Sequence, residues 1–359
     1  MRVKFNNSRY AEFVADLKKS VNEYFETKGI STYANGAMVF KTICMLSMYI
    51  IPYALIMTNR LTEWQMLVCC VVIGIGVAGI GFSVQHDANH GAYSKYEWVN
   101  KALGFTLSLV GGNDYMWRIK HNILHHTYTN IHGKDEDISV VQFIRLSPNA
   151  PHKPIHRFQH IFAWFIYSLL TLFWVFYTDF PKIKRYNGHG SPNEDVKHPT
   201  NEIVMLFVMK AFYIFYALVL PLIILDLAWW KVLIGFAVMH LVAGWLLTVV
   251  FQLAHVVEET EHPHPLEENG LIDNSWFVHQ METTANFSVN NPLVTWYVGG
   301  LNFQVEHHLF PKICSIHYPA ISKIVREKAK QYNVPYHYES GLRQAIRSHH
   351  KTLKAFSKK

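Results

Sequence analysis

Apolar and polar positions alternate along this chain in blocks long enough to define its elements. Residues 37–58 are apolar apart from Lys41, and 64–84 are apolar with Gly74, Gly76, Gly79 and Gly81 spread along them. Residues 203–225, containing Lys210 and Pro221, and residues 231–253 form a second pair. Each stretch approaches the ~20 residues that a bilayer-spanning helix needs. Short polar turns, 59–63 and 226–230, join the members of each pair. The glycines predict a close helix–helix approach. Two further apolar runs, 102–112 and 161–177, are short and are expected to lie at the membrane interface. Ahead of them all, Phe13, Leu17, Val21 and Tyr24 recur at three- and four-residue intervals. That spacing predicts an amphipathic helix within residues 1–36, lying on the membrane surface. Because the first apolar run starts only at Ala37, no cleavable secretory signal is expected.

The expected fold class is an all-α integral membrane protein with four transmembrane helices plus interfacial helices. Composition agrees: half of the 359 residues are hydrophobic and only 16% are charged, against about 25% in soluble domains. Four cysteines, Cys44, Cys69, Cys70 and Cys314, form no CxxC pair, so neither a zinc ribbon nor a disulfide framework is signalled. Net charge is +7, and eleven Lys/Arg face only Glu327 and Glu339 from Lys312 onward. This basic segment, 312–359, is expected to be helical and to face anionic lipid or an acidic partner. No nucleic-acid motif accompanies the charge, so nucleic acid is not expected as a partner. Basic residues are dense at both termini and at 182–185 but sparse in the short turns. The positive-inside rule then places both termini in the cytosol.

The candidate chemistry lies where the spans end. His86 and His90 stand four apart, His121, His125 and His126 fall within six residues, and His307 and His308 follow Gln304. His255 ends the fourth span. Residues four apart share a helix face, and converging neutral imidazoles make a metal site. An isolated triplet would read equally well as a solvated helix turn. Eight imidazoles exceed the needs of one tetrahedral zinc ion and suit two metal ions with open positions. For the clusters to share a centre they must lie on one side of the membrane. That requires an even number of spans after the second cluster, which assigns 161–177 to the interface. Asp87, Glu258 and Glu306 are adjacent to these histidines and are expected to orient their rings.

The motifs His86-Asp-Ala-Asn-His90, His121-Asn-Ile-Leu-His-His126 and Gln304-Val-Glu-His-His308 resemble the three histidine boxes of the integral-membrane fatty acid desaturases. The likeness runs from the first span to Pro311, so a membrane desaturase domain over 37–311 is expected. It implies a cytosolic helical cap holding a di-iron site, with His86, His90, His121, His125, His126, His255, His307 and His308 as ligands and Gln304 as a candidate ninth, direct or through water. No other catalytic residue is implied. Glutamine opening the third box is the mark of the front-end branch, and the wider sequence looks most like bacterial delta-6-type acyl desaturases. The resemblance thus implies a cytoplasmic membrane enzyme that uses O2 to insert a cis double bond toward the carboxyl end of an acyl-lipid or acyl-CoA chain. The His-Pro-Gly-Gly haem motif of fused cytochrome b5 domains does not occur. A separate electron donor, a ferredoxin or a cytochrome b5, is therefore implied. Trp117 and Phe303 are expected near the irons as walls of a substrate tunnel.

Three other readings stay open at this level: a sphingolipid desaturase or acyl hydroxylase on the same scaffold, a membrane zinc hydrolase, and a metal carrier. The remaining histidines are expected to be solvated in loops and tail, namely His152, His156, His160, His189, His198, His262, His264, His317, His337, His349 and His350. His132 and His279 are expected at the surface, with a place in the outer shell of the metal site as the alternative, and His240 as a packing residue within the last span.

Overall fold

The computed structural model describes residues 3–139, 143–186, 198–266 and 268–358; His189 lies outside them. The described chain is mostly helical and divides into two compact units, one of residues 36–118 and 164–249, the other of 1–35, 119–163 and 250–359.

The first unit holds the spans. Four helices are long and apolar enough to cross a membrane: Gly36–Met57, Glu63–Asn89, Thr200–Ile224 and Trp229–His255, the last contributing its residues through Val249. In Gly36–Met57 and Thr200–Ile224 only 28% and 22% of the most apolar window is buried. Phe40, Ile43, Ile50, Phe207 and Ile223 all stand exposed. Apolar faces of that extent are stable against lipid rather than water, and the protein is a membrane protein. The 161–177 region is a bent pair, Pro154–Ser168 and Leu170–Arg185, with 58° between its halves. The 102–112 run is two short helices, Glu97–Gly104 and Thr106–Leu109.

Local chemistry sets the hairpin. Thr62 caps the second span: its hydroxyl accepts the Gln65 N–H while the Gln65 side chain accepts the Thr62 N–H, satisfying two donors that a helix start leaves open. Where Gly76 passes the first span, a Cβ would lie 2.9 Å from the Met48 carbonyl carbon. Only glycine permits that approach. The short turns are tied together, the Asn59 amide donating to Asp226 at 2.5 Å and the Asp226 N–H returning to Asn59 at 3.2 Å. Deep in this unit Asp179 accepts from Lys210 at 2.7 Å and from Lys182 at 3.0 Å. Lys210 also donates to the carbonyls of Gly111 and Trp174, so the buried charges are fully partnered.

The second span is longer than its apolar run. It continues helically through Asn89 by way of a π-helical stretch, Gly81–Gln85. His86 therefore sits in the span helix itself, and His255 is the last residue of its own.

The second unit packs the N-terminal helix Ala11–Lys28 against Tyr318–Gln331. Phe13, Leu17, Val21 and Phe25 join Ile321, Val325 and Ala329 in one buried cluster. The apolar face expected to meet lipid is thus covered by protein: the amphipathic pattern demands a cover, and the C-terminal helix supplies it. Two parallel strand pairs, Lys4–Phe5 with Leu271–Ile272 and Ala285–Phe287 with His337–Glu339, bind distant segments of this unit.

Candidate metal centre

The second histidine box is not a plain α-helix. Ile119–His125 is π-helical and His126–Tyr128 returns to α. In an α-helix, residues five apart diverge by about 140°. At roughly 4.4 residues per π turn they diverge by only about 50°. The wider turn swings His126 round toward His121, and their Nε2 atoms lie 3.3 Å apart. All three box imidazoles are buried.

Around this turn the second unit gathers three more rings. His255 arrives at the end of its span, and His307 and His308 lie on the short helix Gln304–Leu309. Potential ligand nitrogens of His125, His255 and His308 fall within 4.8 Å of one another, as do those of His126, His307 and His308. The two groups overlap at His308.

The Nε2 of His126 faces His121, whereas four of these rings, His125, His255, His307 and His308, are held by Nδ1. That of His125 lies 3.0 Å from an Asp135 carboxylate oxygen, that of His308 2.7 Å from the Gln280 carbonyl oxygen, that of His307 3.2 Å from the Tyr318 hydroxyl and that of His255 3.3 Å from the Thr283 carbonyl. With Nδ1 engaged, Nε2 is the nitrogen these rings offer to a metal. The Nε2 atoms of His125 and His255 are buried without a hydrogen-bond partner. A buried imidazole nitrogen left unsatisfied is costly in a metal-free core. Nitrogen donors with this spacing and no nearer partner fit a transition metal ion.

Burial pulls the His125 imidazole toward neutrality, but Asp135 and Asp137 outweigh it and raise its pKa. Asp135 is itself secured by the N–H groups of Asn130 and Asp137 at 3.0 and 2.9 Å. Asn130 adopts φ 59°, and its amide reaches the carbonyls of His255, Glu261 and Thr283. It ties the second box to the end of the last span. Glu306 is fully buried between Asn286 and Tyr336, which donate to it at 2.7 and 2.9 Å. Burial pushes its carboxyl up to about 7 against those two hydrogen bonds.

The first box belongs to the span unit. The His86 and His90 rings are tilted by 58° with centroids 4.8 Å apart, both edge-on to Trp117 at 5.7 and 5.9 Å. Asp87 lies 3.6 Å from the His86 Nδ1. Gln304 is buried on the first turn of its helix, and Phe303 is buried in the core just before it. Glu258 is exposed and turns to Lys351 at 3.1 Å, away from the rings it was expected to orient. Asp135, Gln280, Thr283 and Tyr318 orient them instead. Spacing alone singled out none of these four.

Several histidines expected at the surface are buried. His279 has no exposure, packs 5.0 Å from the Phe5 ring, and is pushed down to about 3 by burial. His156 accepts the Lys153 N–H at 3.0 Å, while His198, His317 and His349 meet the carbonyls of Ile183, Tyr33 and Val256. Each satisfies a backbone group that burial would otherwise strand. His240 is a packing residue, its nitrogens on Tyr213 and Thr171.

Comparison with known proteins fits this geometry. The fatty acid desaturase family matches residues 62–340. This chain belongs to that family. Among relatives similar to this desaturase, the sn-1 linoleoyl-lipid 6-desaturase of Arthrospira platensis is 37% identical over 96% of this chain and 92% of its own. The enzyme of the same name from Synechocystis sp. is 36% identical over 99% and 98%. An acyl-lipid (8-3)-desaturase of Physcomitrium patens is 32% identical over 98% of this desaturase and 73% of its own length.

Proposed function

We propose that this desaturase is a front-end acyl-lipid desaturase with a di-iron centre, placing a cis double bond on the carboxyl side of an existing one. The observation that carries it is the pair of overlapping imidazole groups around His308, in which the Nδ1 atoms of His125, His255, His307 and His308 are engaged so that Nε2 is left for a metal. The names of the cyanobacterial relatives support the regiochemistry and the acyl-lipid substrate. On this reading His121, His125, His126, His255, His307 and His308 hold iron together with His86 and His90, which enter on their motif. Gln304 is a weaker oxygen donor. Asp135, Gln280 and Tyr318 fix the rings, and Trp117 and Phe303 wall the acyl chain. When bound, the irons supply the reduction of dioxygen. The balanced reaction takes one CH2–CH2 unit, O2, two electrons and two protons to one cis CH=CH unit and two waters. The electrons come from a separate carrier, a ferredoxin or cytochrome b5, and the termini and boxes face the cytosol.

The test is expression in a host whose membranes contain linoleoyl lipid, followed by gas chromatography with double-bond mapping, beside His125→Ala. A new double bond at carbon 6, absent from the variant, is expected. A hydroxylated product without new unsaturation, or purified protein carrying zinc and no iron, would overturn the reading.

A further inference from the structure

The helix Leu342–Phe356 has two unlike faces. Arg343, Arg347, His350, Lys351 and Lys354 fall within about 100° of arc on one side, and the helix contains no acid. Arg343, Arg347, Lys351 and Lys354 are exposed. Like charges four apart oppose helix formation. Among the described residues only Lys351 has an acidic neighbour, Glu258 at 3.1 Å. The other face is buried through Ala345, Ser348, His349, Thr352 and Leu353.

That buried face is fastened to the segment leaving His255. The His349 Nδ1 donates to the Val256 carbonyl at 2.7 Å, and the Ser348 hydroxyl accepts the Glu258 N–H at 2.8 Å. Gln159 holds the Leu353 carbonyl at 2.8 Å, and the Arg145 guanidinium donates to the Phe356 carbonyl at 3.0 Å. The helix that carries the stripe is therefore fastened at four points, and one hydrogen bond and the Val256 backbone separate its buried side from a proposed iron ligand.

We propose that this stripe is the docking face for an acidic one-electron carrier protein, and that His349 couples the face to His255. The proposal rests on the reading that desaturation draws its electrons from outside; two docking events deliver the two electrons of one turnover. A helix resting on lipid would show large apolar side chains beside its cations. In this helix the one large apolar side chain that is exposed is Leu342, ahead of the first cation of the stripe.

The experiment measures binding of an acidic [2Fe–2S] ferredoxin to the full chain in nanodiscs at low and high salt. Reversing Arg343, Arg347 and Lys354 to Glu is expected to raise Kd by about tenfold or more and to flatten its salt dependence. Arg343→Gln with Arg347→Gln gives a smaller rise should the triple variant fail to fold. His349→Leu is expected to leave Kd unchanged and slow ferredoxin oxidation by the iron-loaded chain. An unchanged Kd in the reversal variant overturns the proposal. So does a variant that loses binding to phosphatidylglycerol vesicles alone, which assigns the stripe to lipid. An unchanged oxidation rate in His349→Leu removes His349 from the route. Dithionite-driven desaturation by the unaltered chain tests the functional reading separately.

Discussion

The Nδ1 of His125 lies 3.0 Å from Oδ2 of Asp135, and both side chains are buried. The carboxylate holds the ring with Nε2 directed inward and makes it a better donor. Asp135→Asn keeps the shape but loses the charge. It is expected to lower iron occupancy or product formation by about tenfold to a hundredfold. Iron content of the purified protein and the fatty acid profile of the host check this together. Full iron loading with full activity would remove Asp135 from the centre.

His349 offers a pH-dependent prediction. Burial pushes its imidazole down to about 4 in the folded chain, against about 6.5 when unfolded. The unfolded chain therefore takes up a proton first as pH falls. The stability this neutral ring contributes is complete above 6.5, declines between 6.5 and about 4, and is lost below. The decline is on the order of 3 kcal/mol. Unfolding temperatures between pH 7 and pH 4.5 should fall less steeply for His349→Gln, whose amide can still donate to Val256. Parallel curves would show that His349 does not titrate this way.

Asp179 carries the balance of charge for Lys210 and Lys182. Asp179→Asn leaves two buried ammonium groups without their carboxylate, at an expected cost of about 3–5 kcal/mol. Replacing Asp179 and Lys210 together by Leu and Met should be milder than the single change. Thermal unfolding in detergent separates the two, and a single variant as stable as the parent would contradict the account.

Gly76 faces backbone, which cannot swing aside as a side chain can. Gly76→Ala is expected to destabilise the first hairpin by about 1–3 kcal/mol. Size-exclusion chromatography after a heating series reads the loss. An equally stable variant would mean that the two helices part at little expense.

The four spans, the amphipathic N-terminal helix and the three histidine boxes were legible in the sequence because each is a local pattern. A run of apolar residues, a stripe with period 3.6 and histidines four apart need nothing from elsewhere in the chain. What only the tertiary structure decided is pairing at a distance. The pattern required a cover for Phe13, Leu17 and Val21, and lipid was the expected one. Folding chose Tyr318–Gln331. The box at 121–126 had the right residues, yet an α-helix would point His126 away from His121, and the π turn brings it round. Gln280 holds the His308 ring across 28 residues of chain, and Asp135 and Tyr318 hold His125 and His307 across ten and eleven, at spacings that no helix or strand period marks. His279 and His349 look like surface histidines until the fold encloses them. Periodicity reports which face of an element must leave its surroundings; which atoms then satisfy that face depends on the packed chain, where burial makes every unpaired polar group costly.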